Sequence, residues 1–341
     1  MPKILIRATN WVGDAVMSLP AVRAVRAHFP DSEIAVLARP WVADLYARET
    51  AINRVIPYEA APGFRDFRSK WKIAGLLRVE RFDMAVLLQN AFEAAAIARL
   101  ARIPRVIGYD RDTRRWLLTQ PISVPKSGEI PRHQRFYYLE LLRRAGWLEK
   151  LPEGDSIRLE GAAGAAAAGA RQFSLRGING AVVGVSPGAA YGNAKRWLPE
   201  RFAEAAERVA RAQHATVALF GSRSERDLCD GVAKLIAIPV HNFAGETTLR
   251  QFIDMTAACR IFLTNDSGGM HIASALGVLT VAIFGATDDI ATGPTGSRAR
   301  VVREPVECSP CLLRECPIDH RCMTRVGVSR VAQVCLDLLA E

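Results

Sequence analysis

The chain is predicted to be an α/β protein made of two successive Rossmann-like domains whose parallel sheets face a central cleft. Three observations predict it. Short apolar runs alternate with helical stretches through the first half, and that alternation restarts after residue 160. A length of 341 residues exceeds the usual single domain. Half the residues are apolar and 23% are charged, a balance that supports sizeable cores.

The first buried strand is read at residues 3–8, and Trp11-Val12-Gly13-Asp14 forms a turn. Ala15 to His28 carries apolar residues at helical spacing, closed by Phe29-Pro30. Strands follow at Glu33–Leu37 and Phe82–Leu88, separated by a basic helical stretch from Phe67 to Arg81. In the second half, residues 181–185, 215–220, 261–264 and 280–284 read as strands, with helices at 200–211 and 249–258. Pro199 suits a first helical position. The boundary falls within 155–180. Gly161 to Ala170 is Ala/Gly-rich and reads either as a linker or, from alanine's propensity, as a helix opening the second domain. The expected division is 1–160, 161–327, and a helix in 328–341 that packs back on the first domain.

The net charge is +10 and uneven. Residues 1–160 hold 26 Lys/Arg against 18 Asp/Glu, while the other 181 hold 19 against 17. An anionic partner for the first half is expected: nucleic acid, an acidic lipid surface or a phosphorylated acceptor. No Lys/Arg run or nucleic-acid motif supports the first of these. Phe67 and Trp71 among Arg65, Arg68, Lys70 and Lys72 suit an anionic lipid surface, or a solvated helix face with two core aromatics. No signal peptide and no stretch of about 20 apolar residues is visible, so a cytoplasmic protein able to touch a membrane surface is expected.

Asn265-Asp266-Ser267-Gly268-Gly269-Met270-His271 joins an apolar strand to a helix-like run. Such a turn aims backbone N–H groups, aided by the helix dipole, at an anion. Ser186-Pro187-Gly188 through Lys195, about 75 residues upstream, is a second anion-type loop, and the two together suggest a diphosphate. Gly188 and Gly192 allow close backbone approach, and Lys195 supplies a point charge or is a solvated loop lysine. Ser267 and Gly268 suit N–H donation, and Asp266 suits a sugar hydroxyl. His271 suits a phosphate or acceptor contact, or is a packed histidine. Glu225, after the 215–220 strand, suits ribose hydroxyls or opens a helix. Asp14, beside Gly13 at the carboxyl end of the first strand, suits a general base or a helix N-cap. Neither a dinucleotide fingerprint nor a Walker A spacing is present.

Cys308-x₂-Cys311-x₄-Cys316-x₅-Cys322 is compact enough for a tetrahedral structural metal, with His320 as a substitute ligand, and equally admits free thiols or disulfides. Cys229, Cys259 and Cys335 lie in apolar contexts and read as packing residues.

Taken jointly, Trp11-Val12-Gly13-Asp14, Pro187-Gly188-Ala189 through Lys195-Arg196-Trp197, and Asn265 to His271 with Ala275-Leu276-Gly277 resemble the family 9 glycosyltransferases, the ADP-heptose:lipopolysaccharide heptosyltransferases. The first motif is most similar to the members that add the second heptose of the inner core. The resemblance implies a GT-B architecture, acceptor on the first domain and sugar nucleotide on the second, and inverting transfer with no catalytic metal or cofactor beyond the donor ADP-heptose. It implies a heptosyl-Kdo-lipid A acceptor, peripheral contact with the inner face of the inner membrane, and no nucleic-acid partner. By motif, Asp14 would deprotonate the acceptor hydroxyl and Lys195 would neutralise the departing diphosphate. Ser267 and Gly268 would donate to it, with Asp266 and His271 nearby, and Glu225 would hold the ribose. The alternatives are a related transferase for another core heptose or glycan, and a non-enzymatic nucleotide-binding module.

Overall fold

A computed structural model describes residues 1–59, 66–154 and 156–341. The chain divides into two compact units, Met1–Gly154 and Asp155–Glu341.

In the first unit the strands are β1 (Lys3–Arg7), β2 (Glu33–Ala38), β3 (Arg54–Pro57), β4 (Met84–Leu87), β5 (Arg105–Tyr109) and β6 (Gln120–Ile122). They form a parallel sheet in the order β3-β2-β1-β4-β5-β6. Its helices are α1 (Val12–His28), α2 (Pro40–Tyr46), α3 (Phe67–Glu80), α4 (Phe92–Leu100) and α5 (Arg135–Arg144). The central strands are apolar almost throughout because helices cover both faces. Leu5, Ala35, Leu37, Ala85 and Leu87 meet Ile73, Leu77 and Ile97 in the core between the sheet and α3 and α4. Pro40 occupies the first turn of α2, where its missing N–H costs nothing. Asp66 caps α3 by accepting from the Ser69 amide at 3.0 Å. Arg65, grouped with this helix in the sequence, lies outside the described residues.

The second unit repeats the plan. Its strands are β7 (Val182–Ser186), β8 (Thr216–Leu219), β9 (Val240–Asn242), β10 (Ile261–Asn265), β11 (Leu279–Ile283) and β12 (Ala299–Val302), ordered β12-β11-β10-β7-β8-β9. Its helices are α6 (Ala162–Ser174), α7 (Pro199–Ala212), α8 (Arg226–Lys234), α9 (Leu249–Ala257), α10 (Gly268–Ala275), the short α11 (Asp289–Thr292) and α12 (Arg321–Thr324), and α13 (Val328–Ala340). Numbered within its own unit, each sheet has the order 3-2-1-4-5-6 of the doubly wound fold.

The Ala/Gly-rich run is helix α6, and its composition follows from what it packs on. A methyl group at Gly169 would stand 1.9 Å from the Asp254 carbonyl oxygen, so only glycine lets α6 approach the backbone of α9 this closely. Residues 328–341 belong to the second unit, where Val331, Ala332, Cys335 and Leu338 of α13 are buried with Phe202, Ala206 and Val209 of α7. The physical reason is the helical apolar stripe of α13, which completes the α7 side of that core.

Candidate active site

In a doubly wound sheet, ligands bind beyond the carboxyl ends of the strands where the strand order reverses. That point lies between β1 and β4 in the first unit and between β7 and β10 in the second. Asp14 follows β1, Ser186 ends β7, and Asp266 to Gly268 follow β10. The sequence-selected residues therefore stand at the switch points of their respective sheets.

In the second unit, Thr264 of β10 pairs with Ser186 of β7, which brings the two anion-type loops side by side. Asn265 locks them together. Its Nδ2 donates to the Pro187 carbonyl at 2.7 Å, and its Oδ1 accepts from the Trp197 amide at 2.9 Å. Asn265 is completely buried, so each bond meets a polar demand that water cannot. The Trp197 indole is buried and donates to the Val326 carbonyl at 3.1 Å, fixing the end of the loop.

Lys195 is not a solvated loop lysine. Its Nζ lies 2.6 Å from Asp266 Oδ2, with the carboxylate almost wholly buried. Thr287 Oγ1 donates to the same oxygen at 2.6 Å. Asp266 thus offsets one positive charge and aims the ammonium at the switch point. The Lys195 ammonium also lies 4.9 Å from the centre of the Tyr191 ring. Ser267 is the N-cap residue of α10 and Gly268 opens the helix, so the first-turn N–H groups have no partner within it. The Ser267 side chain does not cap. Its hydroxyl pairs with Thr264 Oγ1 at 3.1 Å, leaving the helix end unblocked. His271 is 5% exposed within the first turn of α10, a buried setting that matches the packed-histidine alternative.

Glu225 shows the second of its two readings directly. It completes a capping box with Ser222 at the 3₁₀ turn leading into α8, its Oε2 accepting from the Ser222 amide at 2.8 Å and hydroxyl at 2.7 Å. The same carboxylate lies against Gly188, where a methyl group would come 2.0 Å from Glu225 Oε1. The glycine at 188 therefore brings the first loop and the acid into contact.

The cysteine segment braces the Lys195 loop. Tyr191 Oη donates to the Leu312 carbonyl at 2.9 Å, and the Ala194 amide donates to Arg314 O at 2.9 Å. His320 Nε2 bonds the Ala194 carbonyl at 3.0 Å, and a methyl at Gly192 would meet Arg314 O at 2.2 Å. His320 is thereby tied to backbone. All seven cysteines are free thiols, and among the described residues no three His, Cys, Asp or Glu side chains are grouped to hold a metal ion. Burial first, then the neighbouring Cys308, Cys316 and Cys311, pushes the Cys322 thiol up to about 11.

In the first unit, Asp14 stands in the first turn of α1 while Trp11 occupies the N-cap, which corrects the N-cap reading of Asp14. Its charge still complements the helix dipole there. Tyr138 of α5 donates to Asp14 Oδ1 at 3.1 Å. That phenol is buried, and burial followed by the Asp14 charge raises its pKa well above the ordinary value, so it stays protonated as a donor. Gly13 precedes Asp14 in the same turn. Beside this edge, Arg7 and Arg39 sit 5.0 and 4.5 Å from the Tyr58 ring centre. Glu93 pairs with Arg39 at 3.4 Å and Lys70 at 3.2 Å. At this end of the sheet the buried cations Arg7, Arg39 and Lys70 stand with the carboxylates of Glu93 and Asp14, a cationic excess among these five residues.

Sequence reading missed Tyr138, Thr287 and the bridging role of Asn265. Thr287 had a signal, being a small polar residue just past an apolar strand. Tyr138 had none, since 124 residues separate it from Asp14.

Comparison with known proteins shows the family. The family model for glycosyltransferase family 9 (heptosyltransferase) matches residues 70–321. Lipopolysaccharide heptosyltransferase 2 of Escherichia coli (strain K12) is 31% identical over 88% of both chains. Lipooligosaccharide heptosyltransferase 2 of Campylobacter jejuni (strain NCTC 11168) is 27% identical over 99% of this chain and 98% of its own. The solved structure of E. coli ADP-heptose lps heptosyltransferase II superposes with a TM-score of 0.84 at 30% identity, covering 99% of this chain and 98% of that one. The fold is GT-B-like, and the chain belongs to glycosyltransferase family 9, the heptosyltransferases, and is an enzyme of that family.

Proposed function

We propose that the protein transfers heptose from ADP-heptose to the heptosyl-Kdo-lipid A inner core of lipopolysaccharide, with inversion at the anomeric carbon. The observation that carries this reading is the Lys195–Asp266 pair at the switch point of the second sheet, beside the opening turn of α10. It sets a cation beside a helix N-terminus, a setting that suits an anion, in a chain whose relatives are named lipopolysaccharide and lipooligosaccharide heptosyltransferase 2.

The acceptor hydroxyl attacks the anomeric carbon as the bond to the ADP phosphate oxygen breaks. The hydroxyl proton passes to Asp14, and the electron pair of the broken bond goes to the diphosphate. Charge building there is met by Lys195 and by the Ser267 and Gly268 N–H groups, preorganised donors of the kind that act most strongly on developing charge. Asp266 is a positioning residue for Lys195. Gly13 keeps the chain beside the base free of a side chain. Ser186 and Gly188 line the donor loop, Glu225 takes the ribose hydroxyls, and His271 stands in the first turn of α10 near the diphosphate. The positive edge of the first unit suits an acceptor that carries many negative charges. A soluble nucleotide sugar and a lipid-anchored acceptor place the reaction on the cytoplasmic face of the inner membrane. Among the described residues no helix is long and apolar enough to cross a membrane.

The test is incubation with ADP-heptose and either of two truncated acceptors, one ending in a single heptose and one ending in Kdo, read by mass spectrometry. One added heptose on the first acceptor only is expected. Addition to the Kdo-terminated acceptor instead, or to neither, contradicts the reading.

A further inference from the structure

Helix α3 raises a discrepancy that its sequence left open. Phe67 and Trp71 are not core residues. They stack on each other at 5.7 Å between ring centres and are 59% and 56% exposed. Val79 is 82% exposed, and Leu76 is exposed as well. The buried side of the helix is complete without them, formed by Lys70, Ile73, Ala74 and Leu77. At about 100° per residue Phe67 and Trp71 lie about 40° apart with Val79 further round the outer side, while Leu76 stands at its far edge, so the aromatic pair and Val79 are the apolar part of the outer face and call for a cover.

The charges on that face indicate which cover. Arg68, Lys72 and Arg78 interleave with the apolar residues, and no acidic residue shares the outward side. Among the described residues none of the three cationic heads has an ion pair. The one acid near the end of α3, Glu80, is turned toward Arg54 and Lys3, at 2.5 and 3.0 Å. Those bonds, with Lys70 to Glu93 at 3.2 Å, hold the helix firmly on its unit. Phe67 also borders a groove of about 570 Å³ against α4, lined by Phe92, Ile97 and Leu100 together with Arg39, Lys70 and Glu93. Aromatic and aliphatic side chains alternating with lysine and arginine are the composition of a helix lying in a lipid headgroup layer. Two copies packed through this face would set the three unpaired cations against their own equivalents, which disfavours self-association.

We propose that the outer face of α3 is the surface by which the enzyme seats on an anionic bilayer, with Phe67, Trp71 and Val79 at headgroup depth and Arg68, Lys72 and Arg78 on lipid phosphates. The proposal rests on the functional reading only for why an enzyme of this family would need the membrane; the surface itself is argued from exposure and charge. Binding is therefore measured without any transfer reaction, and a failed acceptor assay leaves this result standing.

The full chain is sedimented with vesicles of phosphatidylglycerol and phosphatidylethanolamine, or of phosphatidylcholine alone. Binding to the anionic vesicles, weakened by high salt, is expected. Each basic side chain near such a surface contributes about five-fold in affinity, so Arg68→Glu/Lys72→Glu should lose at least about 25-fold. Phe67→Ser/Trp71→Ser should lose about ten-fold or more, because both rings leave the apolar layer. Leu235→Ser, an exposed leucine of the second unit, should bind as the parent does. All of these positions are exposed, so unchanged circular dichroism and melting are expected and are checked alongside. Absence of vesicle binding, or equal binding by the α3 variants and the Leu235 control, overturns the proposal. So does sedimentation velocity showing a dimer that the α3 variants dissolve, which would make the face a contact between copies.

Discussion

The Tyr138 hydroxyl donates to Asp14 Oδ1 at 3.1 Å, joining α5 to the first turn of α1 across 124 residues of sequence. A buried phenol whose pKa is raised well above the ordinary value steadies one oxygen of the carboxylate proposed as the base. It acts through Asp14 and is a positioning residue.

Tyr138→Phe keeps the ring and removes this bond. A net hydrogen bond is worth ~1 kcal/mol, so kcat should fall about five-fold with KM little changed. The bond stabilises the ionised carboxylate. Tyr46, the other buried phenol electrostatically coupled to Asp14, is untouched by the change. A kcat equal to the parent's contradicts the role.

The Lys195–Asp266 pair allows stability and catalysis to be separated. Lys195→Ala leaves a buried carboxylate without its cation and should destabilise the protein by about 2–4 kcal/mol in urea unfolding. Lys195→Ala/Asp266→Asn should restore most of that stability and none of the turnover. Recovered turnover in the double variant would show that the ammonium does not act on the leaving group.

Gly188 and Gly192 should respond differently to alanine. At Gly188 the added methyl meets the Glu225 carboxylate, the far end of a side chain that can swing away once its capping bonds break. At Gly192 it meets the Arg314 backbone carbonyl, which cannot yield without moving the cysteine segment. Gly192→Ala should therefore lower the melting temperature clearly more than Gly188→Ala, whose main effect should be a higher KM for the donor. Equal melting temperatures would contradict the bracing role of residues 308–322.

Glu80 gives a pH signature of folding. Arg54 first, then Lys3, hold its carboxyl at about 2 against an ordinary value of 4.5. A depressed carboxylate pKa contributes stability that is full above 4.5 and is lost as pH falls toward 2. The group is partly solvated, so the contribution is about 1 kcal/mol after screening. Glu80→Gln should melt lower than the parent at pH 7, and the gap should close below pH 2. A constant gap across that window contradicts the assignment.

Most of the α/β plan was legible because doubly covered strands leave short apolar runs, as at Ile4–Ile6 and Ile261–Leu263. Thin or polar edge strands left none, which is why β6, containing a proline, and β9, with His241 and Asn242, were not foreseen. Asp14, Lys195 and the 265–271 turn were legible because glycine and small polar residues interrupt strand-to-helix junctions. The partners that hold them were not. Tyr138, Thr287 and the 308–322 brace reach their targets through tertiary packing, which has no local periodicity. The four cysteines illustrate the opposite limit. Their spacing suggested a ligand set, whereas the segment's polar contacts run to the loop of Tyr191 and Ala194.

The central claim is that Asp14 takes the acceptor proton while the second unit holds the diphosphate. It is tested most directly by comparing Asp14→Asn with the parent for turnover by product mass spectrometry and for ADP affinity by calorimetry. Turnover is expected to fall by about 10²–10⁴ while ADP affinity stays unchanged. Turnover within a few-fold of the parent would contradict it.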